Sequence, residues 1–300
     1  VKTREGRPIK IERNRLEQSF GSVNARVHAS VLSLYDVNRL QTPLISNEPA
    51  TWEDFDSALE NKLNTLKEEK IVLLTQTFAS PSTSKLIKKF TSKYPNVSHV
   101  IYDTVSSSEA LDAFQSKYGI RALADFDFSK AEVIVSVGAD FLGDWQGGGF
   151  DSSYAKGRIP SEGKMSQHFQ FEANMSLSGA NSDNRVALKP SQQKVVLAKL
   201  YGKLFGTSVG GDLPAHLQTA VDRAASELLK AGSNAVVLTG IQDVNAQNIV
   251  LAINEKLNSK AFDTAHPTQT RLGNDKAVAK LVSEMNAGTV GALIMAGVNP

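Results

Sequence analysis

The chain contains no cysteine. That excludes disulfides, thiolate zinc sites and cysteine-ligated iron–sulfur clusters within these 300 residues. It also has no stretch of ~18 apolar residues able to span a bilayer as a helix. Val1, followed by Lys2 and Arg4, does not open a signal-peptide pattern. Charge of either sign is nearly balanced, with 33 Lys and Arg against 31 Asp and Glu and a formal net charge of +2. No basic run stands out, so the footprint expected of a nucleic-acid binder is missing. Two nucleotide signatures are missing as well: no Gly-x-Gly-x-x-Gly opens a helix, and no Walker lysine-serine pattern occurs. The five histidines, His28, His99, His168, His216 and His266, are scattered, and no pair has His-x-x-x-His spacing. They read as surface or hydrogen-bonded residues.

What is present is a globular composition, 41% hydrophobic and 21% charged, sufficient for one large or two ordinary domains. Three segments share one grammar, an apolar strand running into glycine and then a short polar residue. They are Val133 to Val137 with Gly138 and Asp140, Ala235 to Thr239 with Gly240 and Gln242, and Ala292 to Ala296 with Gly297 and Asn299. In a parallel α/β sheet the carboxyl ends of the strands open onto a crevice, where glycine lets backbone N–H groups approach a phosphate or a ring.

Along the chain, alternating residues around Glu5-Gly6 predict a β-hairpin over residues 1–12, followed by an extended connector to about residue 50. Thr51 with an acidic first turn predicts a helix start, and Phe55, Leu59, Leu63 and Leu66 recur at helical spacing. Strands and helices then alternate, which argues for a parallel, doubly wound sheet. The expected division is residues 1–50 as hairpin and connector, 51–105 plus 260–300 as a first α/β lobe, and 106–259 as a second. Residues 138–190, rich in Gly, Ser and Asn, read as a long irregular insertion in the second lobe. The chain is expected to continue past Pro300 and to begin before Val1, because a strand and the start of its loop stand at the very end.

Several clusters invite a chemical reading. Trp145-Gln-Gly-Gly-Gly149 could wrap an anion through its amides, or be a surface loop. Asp140 and Asp144 form a carboxylate pair without a nearby histidine, which favours loop capping. Tyr154, Lys156 and Arg158 could grip phosphate or stand as solvated loop charge. Ser106-Ser-Ser108 suits an N-cap, with metal ligation by a serine as the alternative.

Taken together, these segments resemble the molybdopterin-dependent oxidoreductase superfamily. Gly6-Arg-Pro-Ile-Lys-Ile-Glu12-Arg-Asn14 resembles its opening hairpin, Leu34-Tyr35-Asp36 with Arg39 and Pro43 its connector, and Thr51-Trp52 the helix start that follows. Ala131 to Gly143, Tyr154-Ala-Lys-Gly-Arg158, Leu177 to Arg185 and Lys189-Pro-Ser191 are most similar to the iron–sulfur/molybdopterin-like large subunit of alternative complex III, a bacterial respiratory quinol oxidoreductase. The resemblance implies two interleaved Rossmann-like parallel-sheet lobes of the molybdopterin oxidoreductase type with an N-terminal β-hairpin.

Departures from the active enzymes shape what the resemblance implies. The superfamily's Cys-x-Lys/Arg-Gly is occupied here by Asn24-Ala-Arg26-Val27. An amide cannot replace the thiolate that anchors iron. Arg26 keeps the basic character and is expected in a structural ion pair. The molybdenum ligand of the active enzymes would fall at residues 104–108, where no soft ligand is present. Asn24, Arg26, Ser106, Gly138, Asp140, Gly297 and Asn299 are therefore expected to be vestigial positions that bind no cofactor, and no catalytic or metal-binding residue is expected.

The resemblance further implies a scaffold that is non-catalytic in itself. Electron transfer would run through iron–sulfur clusters in the continuation of the chain, and through haem c and quinol-binding membrane subunits as partners. The complex would sit at the periplasmic face of the bacterial inner membrane. Two other readings stand beside it: an active bis-pterin molybdenum or tungsten enzyme with an oxygen ligand from Ser106 to Ser108, and a nucleotide-binding domain.

Overall fold

The computed structural model describes residues 1–14, 23, 25–160, 163 and 165–299; Asn24 lies outside them. The chain opens on β1 (Lys2–Arg4) and β2 (Arg7–Lys10), an antiparallel pair. Glu5 and Gly6 between them are both left-handed, with φ of 49° and 76°, as a tight hairpin turn requires. A short helix α1 (Ala25–Ala29) and a small hairpin, β3 (Leu44–Ile45) with β4 (Glu48–Pro49), lead to α2 (Trp52–Thr65). Thr51 caps α2 by accepting the Asp54 N–H at 3.1 Å, and Glu53 and Asp54 place negative charge at the positive end of the helix dipole.

Next come β5 (Ile71–Thr75), α3 (Pro81–Lys93), β6 (Val97–Ile101), α4 (Ser108–Tyr118), β7 (Leu123–Phe126) and β8 (Val133–Val137). They are followed by α5 (Asp151–Lys156), β9 (Gln167–Glu172), α6 (Leu177–Ala180), β10 (Asn184–Ala187), α7 (Pro190–Phe205) and α8 (Ala215–Ala231). The chain closes with β11 (Ala235–Thr239), α9 (Val244–Leu257), β12 (Phe262–Thr268), α10 (Asp275–Asn286) and β13 (Ala292–Ala296). Among the described residues no helix is long and apolar enough to cross a membrane.

The fold is α/β and divides into two compact units, the first built on residues 1–12, 23–106 and 272 onward, the second mainly on residues 107–271. The first unit carries a parallel sheet in the order β13-β5-β6. Its central strand β5 is buried throughout because both faces are covered, which is why it reads as an unbroken apolar run. Ile71 and Leu73 pack with Leu63 and Leu66, while Val72 and Leu74 pack with Leu281 of α10.

The second unit carries a parallel sheet in the order β10-β9-β8-β11 and a separate antiparallel ribbon of β7 with β12. One face of the larger sheet, including Val133, Val135, Val137, Phe169 and Phe171, packs on α7, α8 and α9. Ile134, Val236 and Leu238 turn the other way, onto Phe114, Phe128 and Phe141.

Two expectations are corrected here. Residues 138–190 are not an irregular insertion, because they supply two of the four strands of this sheet, β9 and β10, and two short helices between strand ends. Residues 260–271 do not join the first lobe, because β12 pairs with β7 of the second unit, Phe262 opposite Phe126 and Asp263 opposite Asp125.

The outer edge of the larger sheet is closed by side chains. Asn254 on α9, 1% exposed, accepts the Val237 N–H at 2.9 Å and donates to the Val237 carbonyl at 2.7 Å, doing for β11 what a neighbouring strand would do. The Trp145 indole N–H donates to the Thr239 carbonyl at 3.2 Å. Unpaired strand edges invite association with other chains, and a buried N–H or C=O without a partner costs ~1–3 kcal/mol. Asn254→Ala should therefore destabilise the protein by about 2 kcal/mol, read from its urea midpoint, and should speed hydrogen exchange at Val237 more than at Val236. Equal protection of the two amides in the variant would show that the asparagine does not seal this edge.

Candidate functional site

The carboxyl ends of the strands are where a parallel sheet can cradle a ligand, so each glycine that follows a strand shows how far that cradle is open. Gly138, after β8, has φ of +70° and donates its N–H to Phe171 at 2.8 Å. A Cβ there would lie 3.2 Å from the amide of Gln193 on α7. Gly240, after β11, donates to Val137 at 3.0 Å, and a Cβ on it would lie 2.7 Å from the Gly138 carbonyl carbon and closer still to its oxygen. In the first unit Gly297, after β13, has φ of +68°, and its Cβ would stand 2.8 Å from the Gln76 side-chain nitrogen. These glycines admit the protein's own atoms.

Of the polar residues that follow them, Asp140 is engaged, whereas Gln242 and Asn299 are exposed. Asp140 accepts from the Ser178 N–H at 2.9 Å and from its hydroxyl at 2.8 Å, while Ser178 Oγ accepts the Leu142 N–H at 3.0 Å. The carboxylate thus ties the loop after β8 to α6, the capping role its sequence context favours. The glycine run does not form an anion nest. The Gly147 and Gly148 N–H groups donate inward to the carbonyls of Asp144 at 3.1 Å and Trp145 at 2.9 Å. Arg158 grips Asp183 through both terminal nitrogens, at 2.7 and 2.8 Å, and also donates to the Ser166 carbonyl, so it is a structural clamp.

The most developed polar feature of the second unit is one that the sequence reading did not anticipate. On β9, Phe169 and Phe171 enter the apolar core, and the alternate residues His168, Gln170 and Glu172 form a buried row on the opposite face. His168 Nδ1 stands 3.2 Å from the Tyr154 hydroxyl and Nε2 3.1 Å from Gln170 Oε1. Gln170 donates to the Ala139 carbonyl and to Glu172, each at 3.1 Å. Glu172 also accepts from the Ser176 hydroxyl and Arg185 Nε, both at 2.6 Å.

Gln170 Nε2 donates to Ala139 and Glu172, so its carbonyl faces His168 Nε2, and the Tyr154 hydroxyl stands 3.0 Å from the Asn181 carbonyl as well as 3.2 Å from His168 Nδ1. Burial holds the His168 imidazolium down to about 4, outweighing the favourable Gln170, Asp183 and Glu172 contacts. Burial raises the Glu172 and Asp183 carboxyls, but their hydrogen bonds, from Ser176 and Arg185 and from Arg158 respectively, hold both below the usual range. The alternation of polar and aromatic residues in Gln167–Glu172 was the available signal for a strand with one polar face.

In the first unit, the position expected to hold a metal ligand is also committed. Ser106 Oγ donates to Asp275 Oδ2 at 2.7 Å. Ser107, not Ser106, is the N-cap of α4, and its side chain makes no capping bond. Asp103 is 8% exposed, and its carboxylate accepts the Thr77 N–H at 2.9 Å, the Thr77 hydroxyl at 2.6 Å and the Gly273 N–H at 3.0 Å. Arg26 is exposed on α1, and Asn299 is exposed after β13.

The expected vestigial positions do not form one cluster within a unit: Gly138 and Asp140 belong to the second, Arg26, Ser106, Gly297 and Asn299 to the first. Among the described residues no group of three or more His, Asp or Glu side chains is placed to hold a metal ion. With Ser106 bonded to Asp275 and the glycines after the strands met by glutamine amides and backbone, these described positions are a poor fit to a metal or pterin.

No protein-family model matches the sequence, and no curated protein is recognisably similar to it. Solved structures do match. The formyltransferase/hydrolase complex FhcABCD from Methylorubrum extorquens, solved with methylofuran, superposes with a TM-score of 0.55 at 16% identity, over 82% of this chain and 74% of that one. Acetylene hydratase from Pelobacter acetylenicus gives a TM-score of 0.53 at 10% identity, over 79% of this chain and 38% of its own. At such identities the likeness is one of fold alone, and that fold is the α/β arrangement of the molybdopterin type, with parallel sheets and an N-terminal antiparallel hairpin.

Proposed function

We propose that this chain is a cofactor-free, non-catalytic scaffold derived from the molybdopterin fold. It would belong to a subunit of a respiratory quinol oxidoreductase of the alternative complex III type. In this reading electrons pass from quinol through iron–sulfur clusters and haem c held elsewhere, and partner subunits hold the chain at the periplasmic face of the inner membrane. The observation that carries the reading is the filling of the strand-end positions: Gly138 meets Gln193, Gly240 meets Gly138, and Gly297 meets Gln76. A cradle occupied by its own side-chain and backbone atoms has exchanged ligand contacts for packing.

The residues behind the closer resemblance support the same view. Asp140, Tyr154, Arg158, Ser178, Asp183 and Arg185 lie in those motif segments, and all of them make the hydrogen bonds that organise the loops around β9. Their chemistry here is orientation and capping. The bis-pterin alternative would draw an oxygen ligand from Ser106 to Ser108, where Ser106 is bonded to Asp275, and the nucleotide alternative would use the glycine-ended strands, where the Gly138 and Gly240 N–H groups donate to Phe171 and Val137.

Metal analysis and pterin fluorescence of the protein purified from native membranes test the reading. The expected result is no stoichiometric molybdenum, tungsten or pterin, together with co-purification of haem c and quinol-binding subunits. A stoichiometric pterin would overturn the scaffold. Its absence without those partners would leave the scaffold and overturn the respiratory assignment.

A further inference from the structure

Helices α2 and α3 lie on one face of the first unit's sheet. Leu63 and Leu66 at the end of α2 and Ile87 and Phe90 of α3 share a cluster with Ile71, Leu73 and Val97 of the strands. Each helix turns directly into the strand that follows it, β5 or β6, and those strands are parallel, so the two helices run the same way. The sheet covers little of α2. Its apolar line continues from Leu63 back through Leu59 and Phe55 to Trp52 at helical spacing, yet Leu59 is 37% and Trp52 65% exposed. On α3, Leu86 is 66% exposed.

The charges on the two helices are sorted by sign. On α2, Glu53, Asp56 and Glu60 recur at i, i+3 and i+7, which sets them along one flank. On α3, Lys85, Lys88, Lys89 and Lys93 are all exposed, and the helix carries no acidic residue. The Lys93 ammonium is raised chiefly by the Tyr94 hydroxyl and further by the Glu60 charge, so the acidic flank is the one toward α3 and Glu60 stands near the level of Lys93. From that level both stripes extend about 11 Å toward the N-termini. Among the described residues none of these seven side chains forms an ion pair. Lysines on other helices do: Lys117, Lys194 and Lys203 meet Glu255, Asp243 and Asp222 at 2.6, 2.7 and 2.9 Å.

We propose that the outer face of α2 and α3 binds the same face of a second copy of this chain. A two-fold interface must be complementary to itself. An acidic helix beside a basic one at the same level meets that condition, because a two-fold axis parallel to the helices keeps the level and lays α3 of one copy on α2 of the other. Both charge stripes then meet their opposites, with Trp52, Leu59 and Leu86 as the apolar contacts. Helices about 20 Å long, packed ~10 Å apart, offer roughly 400 Å² a side, the scale of a weak dimer sensitive to salt. The inference is independent of the scaffold reading, since no residue after a strand end takes part.

Sedimentation equilibrium of the full chain from about 10 μM to 1 mM should show a monomer–dimer equilibrium that weakens as salt rises. Lys89→Glu with Lys93→Glu should raise the dissociation constant at least about tenfold, and so should Asp56→Lys with Glu60→Lys. All four positions are exposed, so both variants should keep the native circular dichroism. Mixed in equal amounts they should pair with each other, because each reversed stripe again faces its opposite; a purely local effect on either helix would not be rescued. A native chain that stays monomeric throughout, reversed variants that dimerise as the native chain does, or a mixture that fails to associate would overturn the proposal. So would a monomer that sediments with phosphatidylglycerol vesicles through the same lysines, which would give this face to an anionic membrane.

Discussion

Gly240→Ala should destabilise the protein by about 4 kcal/mol, a large share of the roughly 5–15 kcal/mol that holds a typical domain folded. The cause is position, not backbone freedom. Gly240 does not occupy the left-handed region, and its own N–H is paired with Val137 at 3.0 Å. A Cβ on it would press on the Gly138 carbonyl and stand 3.1 Å from Ala139 Cα, backbone atoms that no side-chain rotation can remove. Relief would require separating the loops after β8 and β11, which are register neighbours in the sheet. Gly119→Ala is the control: its φ is +77°, but no atom lies within 4 Å of its Cβ position, so only the left-handed penalty of about 1 kcal/mol is expected. Urea unfolding of the two variants separates the cases. Equal losses would mean that the loops after the strands yield, and that the cradle they close is soft enough to reopen.

The comparison also shows where the fold was legible in the sequence. The hairpin turn at Glu5-Gly6, the Thr51 cap and the apolar runs of β5, β8, β11 and β13 are local signals, and each stands where the pattern places it. Strand β9 was hidden because Gln167–Glu172 is half polar, and its polar half is buried only through partners at Tyr154, Ala139 and Arg185. Strand β12 was hidden because its partner β7 is far away in sequence and the pairing is broken between Asp263 and Thr268.

The same rule governs the candidate site. That a glycine follows a strand is visible in the sequence, but whether it faces a ligand depends on Gln193, Gly138 or Gln76, which no local pattern connects to it. Ser106 likewise finds Asp275 across 169 positions, and Asn254 finds Val237 from a helix that reads as ordinary. The expectation at Asn24, an amide where the resemblance implies a thiolate, falls on a residue outside the described ones.

Acid should weaken this protein well before its carboxylates titrate, and His168 is the reason. Its imidazole is fully buried, and its folded pKa is lowered to about 4 from the ordinary 6.5, chiefly by burial. The sign follows from which state takes up the proton. Above pH 6.5 both folded and unfolded chains hold a neutral ring, and the contribution is complete. As pH falls from 6.5 toward 4 the unfolded chain binds a proton that the folded chain refuses, and stability drops by about 3 kcal/mol in total. Most of that loss should be reached by pH 4.5, where the lowered carboxyl of Glu172 is only starting to add its own loss and that of Asp183 follows at lower pH. His99, lowered by burial as well, adds a smaller loss of the same sign.

Urea midpoints measured between pH 7 and 4.5 should fall steeply for the native chain and follow a much flatter line for His168→Gln. That variant should start lower at pH 7, because the Tyr154 hydroxyl and the Gln170 carbonyl lose their shared partner. An unchanged slope in the variant would mean that water reaches His168, and that the ladder along β9 is open rather than sealed. A flat line would identify the protonation of one interior ring as the step by which acid loosens the segment between β8 and α7.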